Sequence, residues 1–278
     1  MSIPAVTSPS GYTLPAVGFG TYRLRGEAGA AAVGDALAAG YRLLDSAASY
    51  QNEGAVGAAV RRSAVPREEI VVTSKLPGRY HAFDDAIATV EESVLRTGLD
   101  AIDLYLIHWP NPSVGRYVEA WRALVEARER GLVRQIGVCN FLPEHLDRLA
   151  QETGVLPVVN QIELHPYFPQ TEALAFHHER GILTESWTPI GRGNDLLSHP
   201  VVAELATRHE VSPAQVVLAW HVARGAIPLP KAAGRARQRE NLAIFDVVLT
   251  DEDVARLTAL GRPDGRTANQ DPATYEEL

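Results

Sequence analysis

Lysine is almost missing from this chain. Of its 26 basic residues only Lys75 and Lys231 are lysine and the other 24 are arginine, so the two exceptions call for a chemical reason. An ammonium differs from a guanidinium in being a compact point charge whose pKa can move. Cysteine is scarcer still: Cys139 stands alone, which excludes an internal disulfide and a multi-thiolate metal site. No apolar run approaches the ~20 residues of a membrane helix, so no membrane role is expected. The opening stretch MSIPAVTSPSG has neither the basic nor the apolar region of a secretory signal, and the expected location is the cytoplasm. Positive charge is also in deficit, with a net charge of −8, which argues against nucleic acid as a partner and leaves room only for a local basic site.

Short apolar runs alternate with helix-patterned segments at intervals of roughly thirty residues, the pattern of repeated βα units. Candidate strands end near Asp45 (YRLLD), Lys75 (IVVTSK), His108 (DLYLIH), Asn140 (RQIGVCN), Glu163 (VVNQIE), Trp187 (GILTESW) and Pro230 (AIPLP), with an eighth before Asn241. Their β-branched, apolar character suits strands buried on both faces. Helical stripes lie between them, as in Ala86, Val90, Val94 and Leu95, or Val118, Trp121, Leu124 and Val125. Glycines at 40, 98, 131 and 181 stand where those helices should stop. GYTLPAVGFGTYR reads as a hairpin laid across one end. No linker or composition shift divides the chain, so residues 1–278 read as one α/β domain, a (β/α)8 barrel of the ~250-residue class. An open dinucleotide-binding sheet would carry GxGxxG after its first strand, and YRLLDSAASYQNEG has none; Gly191-Arg192-Gly193 reads as a loop glycine pair.

In such a barrel chemistry sits at the carboxyl ends of the strands. Asp45, Lys75 and His108 close three successive runs, and the ends of adjacent parallel strands lie only ~5 Å apart. Tyr50 can fold back over them from the loop after Asp45. A phenol is a poor acid at neutral pH, but an ammonium beside it stabilises phenolate and eases proton donation. Lys75 would supply that charge, Asp45 would pair with it, and His108 would donate to a carbonyl oxygen. No metal is expected, since HExxH is absent and His177-His178 reads as helix surface.

With these residues in place, the chain resembles the aldo-keto reductases, and among them the short bacterial diketogluconate-reductase-like enzymes. The resemblance runs nearly end to end, through Gly20-Thr21-Tyr22, the block from Asp45 to Glu53 (DSAASYQNE), Thr73-Ser74-Lys75-Leu76, and Asp103 to Pro110 (DLYLIHWP). It continues through Ile136 to Phe141 (IGVCNF), Asn160 to Tyr167 (NQIELHPY), and Pro230-Lys231 followed by Glu240-Asn241. It implies that Asp45, Tyr50, Lys75 and His108 are the catalytic residues, with Tyr50 the acid, and that the cofactor is NADPH (NADP+ when oxidised). Asn140 and Gln161 would hold the nicotinamide carboxamide and Trp187 would stack on the ring. Thr21, Tyr22, Asp45, Pro189 and Gly191 would border the cofactor, and Lys231, Arg237, Glu240 and Asn241 would take its adenosine end. Tyr22, Tyr50, His108 and Trp109 would meet the substrate, a small carbonyl compound, in a broad pocket with the tail from Gly261 to Leu278 near its mouth.

Three residues depart from the family pattern: Cys139 and Ala232 stand where serine is usual, and Trp187 replaces a tyrosine. The competing readings are a cofactor-binding regulatory barrel with vestigial catalysis, and a barrel hydrolase or lyase, which would need paired carboxylates or a metal site. Substrate and reaction direction stay open. So does oligomeric state, with a monomer expected.

Overall fold

The structure, a computed structural model, describes residues 3–277. Two short strands, β1 (Ala5–Thr7) and β2 (Thr13–Pro15), pair antiparallel as an amino-terminal hairpin, of which β2 alone lies in the segment 11–23 expected to form it. The barrel then runs β3 (Phe19–Gly20), α1 (Gly26–Ala39), β4 (Leu43–Asp45), α2 (Glu53–Arg62), β5 (Val71–Leu76), α3 (Phe83–Thr97), β6 (Ile102–Ile107) and α4 (Tyr117–Glu129). It continues with β7 (Val133–Cys139), α5 (Pro143–Thr153), β8 (Val159–Glu163), α6 (Thr171–Glu179), β9 (Leu183–Trp187), α7 (Pro200–Arg208), α8 (Pro213–Ala223), β10 (Ala226–Pro228), α9 (Arg235–Leu242) and α10 (Asp251–Thr258). Strands β3 to β10 pair in parallel in sequence order.

The sheet closes through Gly18 N–H to the Pro228 carbonyl at 3.0 Å and Gly20 N–H to the Pro230 carbonyl at 3.1 Å. These bonds run one way only, because prolines have no N–H to return. The seam is tight: a Cβ on Gly20 would stand 2.9 Å from the Leu229 carbonyl oxygen, so only glycine lets the strands approach this closely.

Two expectations about the strands need correction. The first barrel strand is β3, inside the segment read as hairpin, and the segment before Asn241 is helix α9 rather than an eighth strand. Residues of α9 such as Arg235, Gln238, Arg239 and Glu240 give it no apolar run for a doubly buried strand.

Barrel strands become helices' partners through apolar stripes. On α3, Ala86, Ile87 and Val90 are buried, while Leu95 is 72% exposed and lies off the stripe. The four glycines expected at helix stops all follow a helix end within two residues; Gly98 does so at φ 62°, a left-handed conformation that costs glycine little. Inside the barrel, Leu14 of the hairpin packs with Leu43, Leu104, Leu106, Val159, Leu183 and Ile227, closing the amino-terminal end with hydrocarbon. No helix among the described residues is long and apolar enough to cross a membrane.

Candidate active site

Strand register assembles the polar residues. Asp45 ends β4, Lys75 lies near the end of β5, and His108 follows β6 with its amide bonded to the Leu76 carbonyl at 3.0 Å. Lys75 Nζ donates to Asp45 Oδ1 at 2.5 Å and to the Ser46 carbonyl at 2.7 Å. Lys75 is fully buried. Burial alone would lower its pKa, and the Asp45 charge overturns this and raises it above the ordinary ammonium range.

A short helical turn, Ala48–Tyr50, brings Tyr50 over the pair, with Lys75 Nζ 5.1 Å from the phenol ring centre and the His108 ring centre at 6.1 Å. The turn is braced from below: Asn52 accepts from Ser46 Oγ at 2.7 Å and donates to the Thr21 carbonyl at 2.8 Å. Burial pushes the Tyr50 phenol up to about 12, against the opposing pull of Lys75.

Asp45, Tyr50 and His108 border a cleft of about 600 Å³ at the carboxyl end of the barrel, with Tyr22, Trp109, Asn140, Gln161, Trp187, Pro189 and Lys231 also on its wall and Lys75 buried behind Asp45. Asn140 follows β7 in left-handed conformation, φ 61°, which asparagine tolerates. Its Nδ2 donates to the His108 carbonyl at 3.1 Å and its Oδ1 accepts from Trp187 Nε1 at 2.7 Å. Gln161 on β8 stands in register with Glu185 on β9. Its amide nitrogen donates to both Asp45 Oδ1, at 2.9 Å, and Glu185 Oε2, at 2.7 Å. Both amide hydrogens are thereby used, and Oε1 has no hydrogen-bond partner among the described residues.

Other expected residues fall elsewhere. Thr21 is buried, with its hydroxyl donating to the Asp45 carbonyl at 2.8 Å, and it holds β3 to β4 rather than lining the cleft. Gly191 lies in the loop between the cleft-lining Ile190 and Arg192. Lys231, Arg237 and Arg239 are exposed, and among the described residues none forms an ion pair, whereas Arg235 bonds Asp35. Glu240 is half-buried and Asn241 buried on the same helix. His177 is not on the surface: it is buried, bonded to Asn160 and Thr184, while His178 is exposed.

Three carboxylates went unread in the sequence. Glu53 is buried between Ser74 Oγ at 2.5 Å and Arg96 Nε at 2.6 Å, locking α2 to the strand that carries Lys75. Glu185 is buried, with Oε1 unpartnered among the described residues, and burial followed by the nearby Asp45 charge raises it to about 7. Glu277 reaches His108, Nδ1 to Oε1, at 2.7 Å. The tail thus enters the cleft, where Tyr275 packs on Trp109 with ring centres 4.4 Å apart. Leu278 lies outside the described residues.

The family model of the Aldo/keto reductase family matches residues 16–262. The chain belongs to that family. It is 51% identical to 2,5-diketo-D-gluconic acid reductase B of Corynebacterium sp. (strain SHS752001) over 277 residues, 100% of this chain and 99% of the relative. It is 40% identical to methylglyoxal reductase DkgA of Yersinia pestis, covering 98% and 97%. Among solved structures it resembles a point mutant of Gox0644 in complex with NADPH, with a TM-score of 0.93, 40% identity, and coverage of 99% and 100%. Aldo/keto reductase membership and reductase-named relatives together support carbonyl reduction as the chemistry of this barrel.

Proposed function

We propose that this aldo/keto reductase reduces aldehydes, ketones or dicarbonyls to alcohols with NADPH, and that Tyr50 is the proton donor. The observation that carries the reading is the buried Lys75–Asp45 pair under Tyr50 and beside His108, with Asp45, Tyr50 and His108 on the wall of one cleft. When bound, NADPH supplies the hydride. The residues present fit it: Gln161 Oε1, without a hydrogen-bond partner among the described residues, can accept from a carboxamide N–H, and Trp187 offers an aromatic face held by Asn140. Lys231 and Arg237 are cations without ion-pair partners among the described residues, suited to a 2′-phosphate that one can meet as a point charge and the other bidentately. The NADPH complex of the Gox0644 relative supports the same cofactor.

Each side chain then has a definable task. A phenol held near 12 keeps its proton throughout the neutral range, so Tyr50 enters the reaction as an acid. As its proton leaves for the carbonyl oxygen, the Lys75 charge is already in place to stabilise phenolate, with no reorganisation needed at that moment. Asp45 keeps Lys75 from being an unpaired buried charge. His108 holds the substrate oxygen beside Tyr50, and Trp109 and Tyr275 narrow the space around its substituents.

Steady-state oxidation of NADPH in the presence of an aldehyde tests this reading against the regulatory-barrel alternative. Turnover, with NADPH preferred to NADH, is the expected result. Tight NADPH binding without turnover across a panel of aldehydes and dicarbonyls would favour the regulatory protein instead.

A further inference from the structure

Glu277 is held from every side. Its Oε1 meets His108 Nδ1 at 2.7 Å and its Oε2 accepts from the Gly78 amide at 3.0 Å. Its backbone is clasped by Asn111, N–H to Oδ1 at 3.0 Å and carbonyl from Nδ2 at 2.9 Å. The preceding Glu276 accepts from the Ser113 amide at 2.7 Å. Neither side chain of the His108–Glu277 pair is more than 16% exposed. Burial works to raise the Glu277 carboxyl, but His108, the Gly78 amide and Arg79 overcome it and hold the group below the ordinary carboxylate range.

A carboxylate can only accept hydrogen bonds. The proton between the two groups therefore belongs to Nδ1, and Nε2, without a protein partner among the described residues, is the nitrogen left for a ligand. We propose that Glu277 is a positioning residue for His108: it fixes the imidazole as the Nδ1–H form, so that the ring's charge state selects between a carbonyl and an alcohol at Nε2. The proposal rests on the reading of the cleft as a carbonyl-reducing site. With Nδ1–H fixed, the cationic ring donates from Nε2 to a carbonyl oxygen. The neutral ring presents a lone pair there, which accepts from an alcohol hydroxyl and repels a carbonyl oxygen.

The neighbouring groups leave this selection to His108 itself. Tyr50 is held up at about 12 and the Cys139 thiol well above its usual value by burial, while burial keeps His81 down at about 4. Lys75 and Arg116 stay cationic near neutral pH, and Glu119, bonded to Arg116, stays anionic with a pKa of about 2. Burial raises Glu185 to about 7, and it connects through Gln161 to Asp45, away from the Glu277 bond.

Full-length Glu277→Gln and Glu277→Asp variants test the assignment, because glutamine, with its one oxygen kept on the Gly78 amide, turns its NH2 to Nδ1 and favours the Nε2–H form instead. Ring-nitrogen NMR of the parent, with the His108 signals identified by their loss in His108→Asn, should find the neutral ring protonated on Nδ1. The KM for an aldehyde should rise about tenfold as the ring loses its second proton, the scale of a lost charge-assisted hydrogen bond, while the KM for the product alcohol falls. In Glu277→Gln both dependences should shrink to about twofold, and Glu277→Asp should restore part of them. A neutral parent ring protonated on Nε2 would overturn the proposal. So would KM profiles unchanged in Glu277→Gln, which would assign the pH dependence to Glu185. The spectra need no turnover: Nδ1–H in a protein that reduces no carbonyl would contradict the proposed reaction and leave the hold of Glu277 on the ring standing.

Discussion

The two ends of this barrel are built from the same strands and opposite chemistry. At the amino-terminal end, Leu14 of the hairpin packs with Leu43, Leu104, Leu106, Val159, Leu183 and Ile227, all hydrocarbon. At the carboxyl end, Asp45, Lys75, Gln161 and Glu185 are buried just as completely. Burial of leucine is favourable in itself, at about 25 cal/mol per Å² of apolar surface. Burial of charge costs free energy unless every group finds a partner. The Lys75–Asp45 bond supplies that partner, and Glu185 records the remaining cost as a carboxyl raised to about 7. One end of the fold stabilises the structure, and the other tolerates strain so that charges stand ready in a dry place.

Substitutions at the two ends should therefore fail in different ways. The largest effect is expected at Lys75. Lys75→Met should lower kcat by about 10²-fold or more and destabilise the fold by about 3–5 kcal/mol, since Asp45 is left buried without its partner. Lys75→Arg should be nearly as damaging to kcat, because Nζ sits fully enclosed between Asp45 and the Ser46 carbonyl, with no room for a planar guanidinium. An arginine variant retaining most of the parent rate would mean that bulk positive charge suffices.

Leu14→Ala probes the other end. It should cost about 2–5 kcal/mol in chemical denaturation while kcat at a temperature where the protein is folded stays within about twofold of the parent. A large loss of kcat with stability intact would break the division between the ends.

The smallest of the three effects is expected outside the barrel mouth, at α9. Arg237→Ala should weaken NADPH binding by about tenfold or more, the scale of one hydrogen bond to a charged group, and leave NADH nearly unchanged. Dissociation constants for both cofactors decide it, and equal weakening would mean that Arg237 does not read the 2′-phosphate.

How legible each region was follows from how local its signal is. Asp45, Lys75 and His108 could be read because each closes an apolar run, and ladder register does the rest. Strand β3 could not, since its two residues stand among glycines and its closing partner is interrupted by Pro228 and Pro230. His177 was misread because its neighbour is exposed and only the fold brings Asn160 and Thr184 around it. Glu277 left no local trace: its bond to His108 spans 169 residues, and an acidic pair near a chain end otherwise reads as a solvated tail. Thr21 showed the converse, a motif residue whose hydroxyl is spent on holding two strands together.

The central claim is that Tyr50 gives the proton. Tyr50→Phe keeps the ring and removes only the hydroxyl, so the variant should bind NADPH with a dissociation constant close to the parent's while reducing a good aldehyde about 10²-fold or more slowly. Measuring both quantities on one preparation separates chemistry from folding. Unchanged binding with the lost rate is the predicted result; a Tyr50→Phe protein that turns over at close to the parent rate would contradict the account.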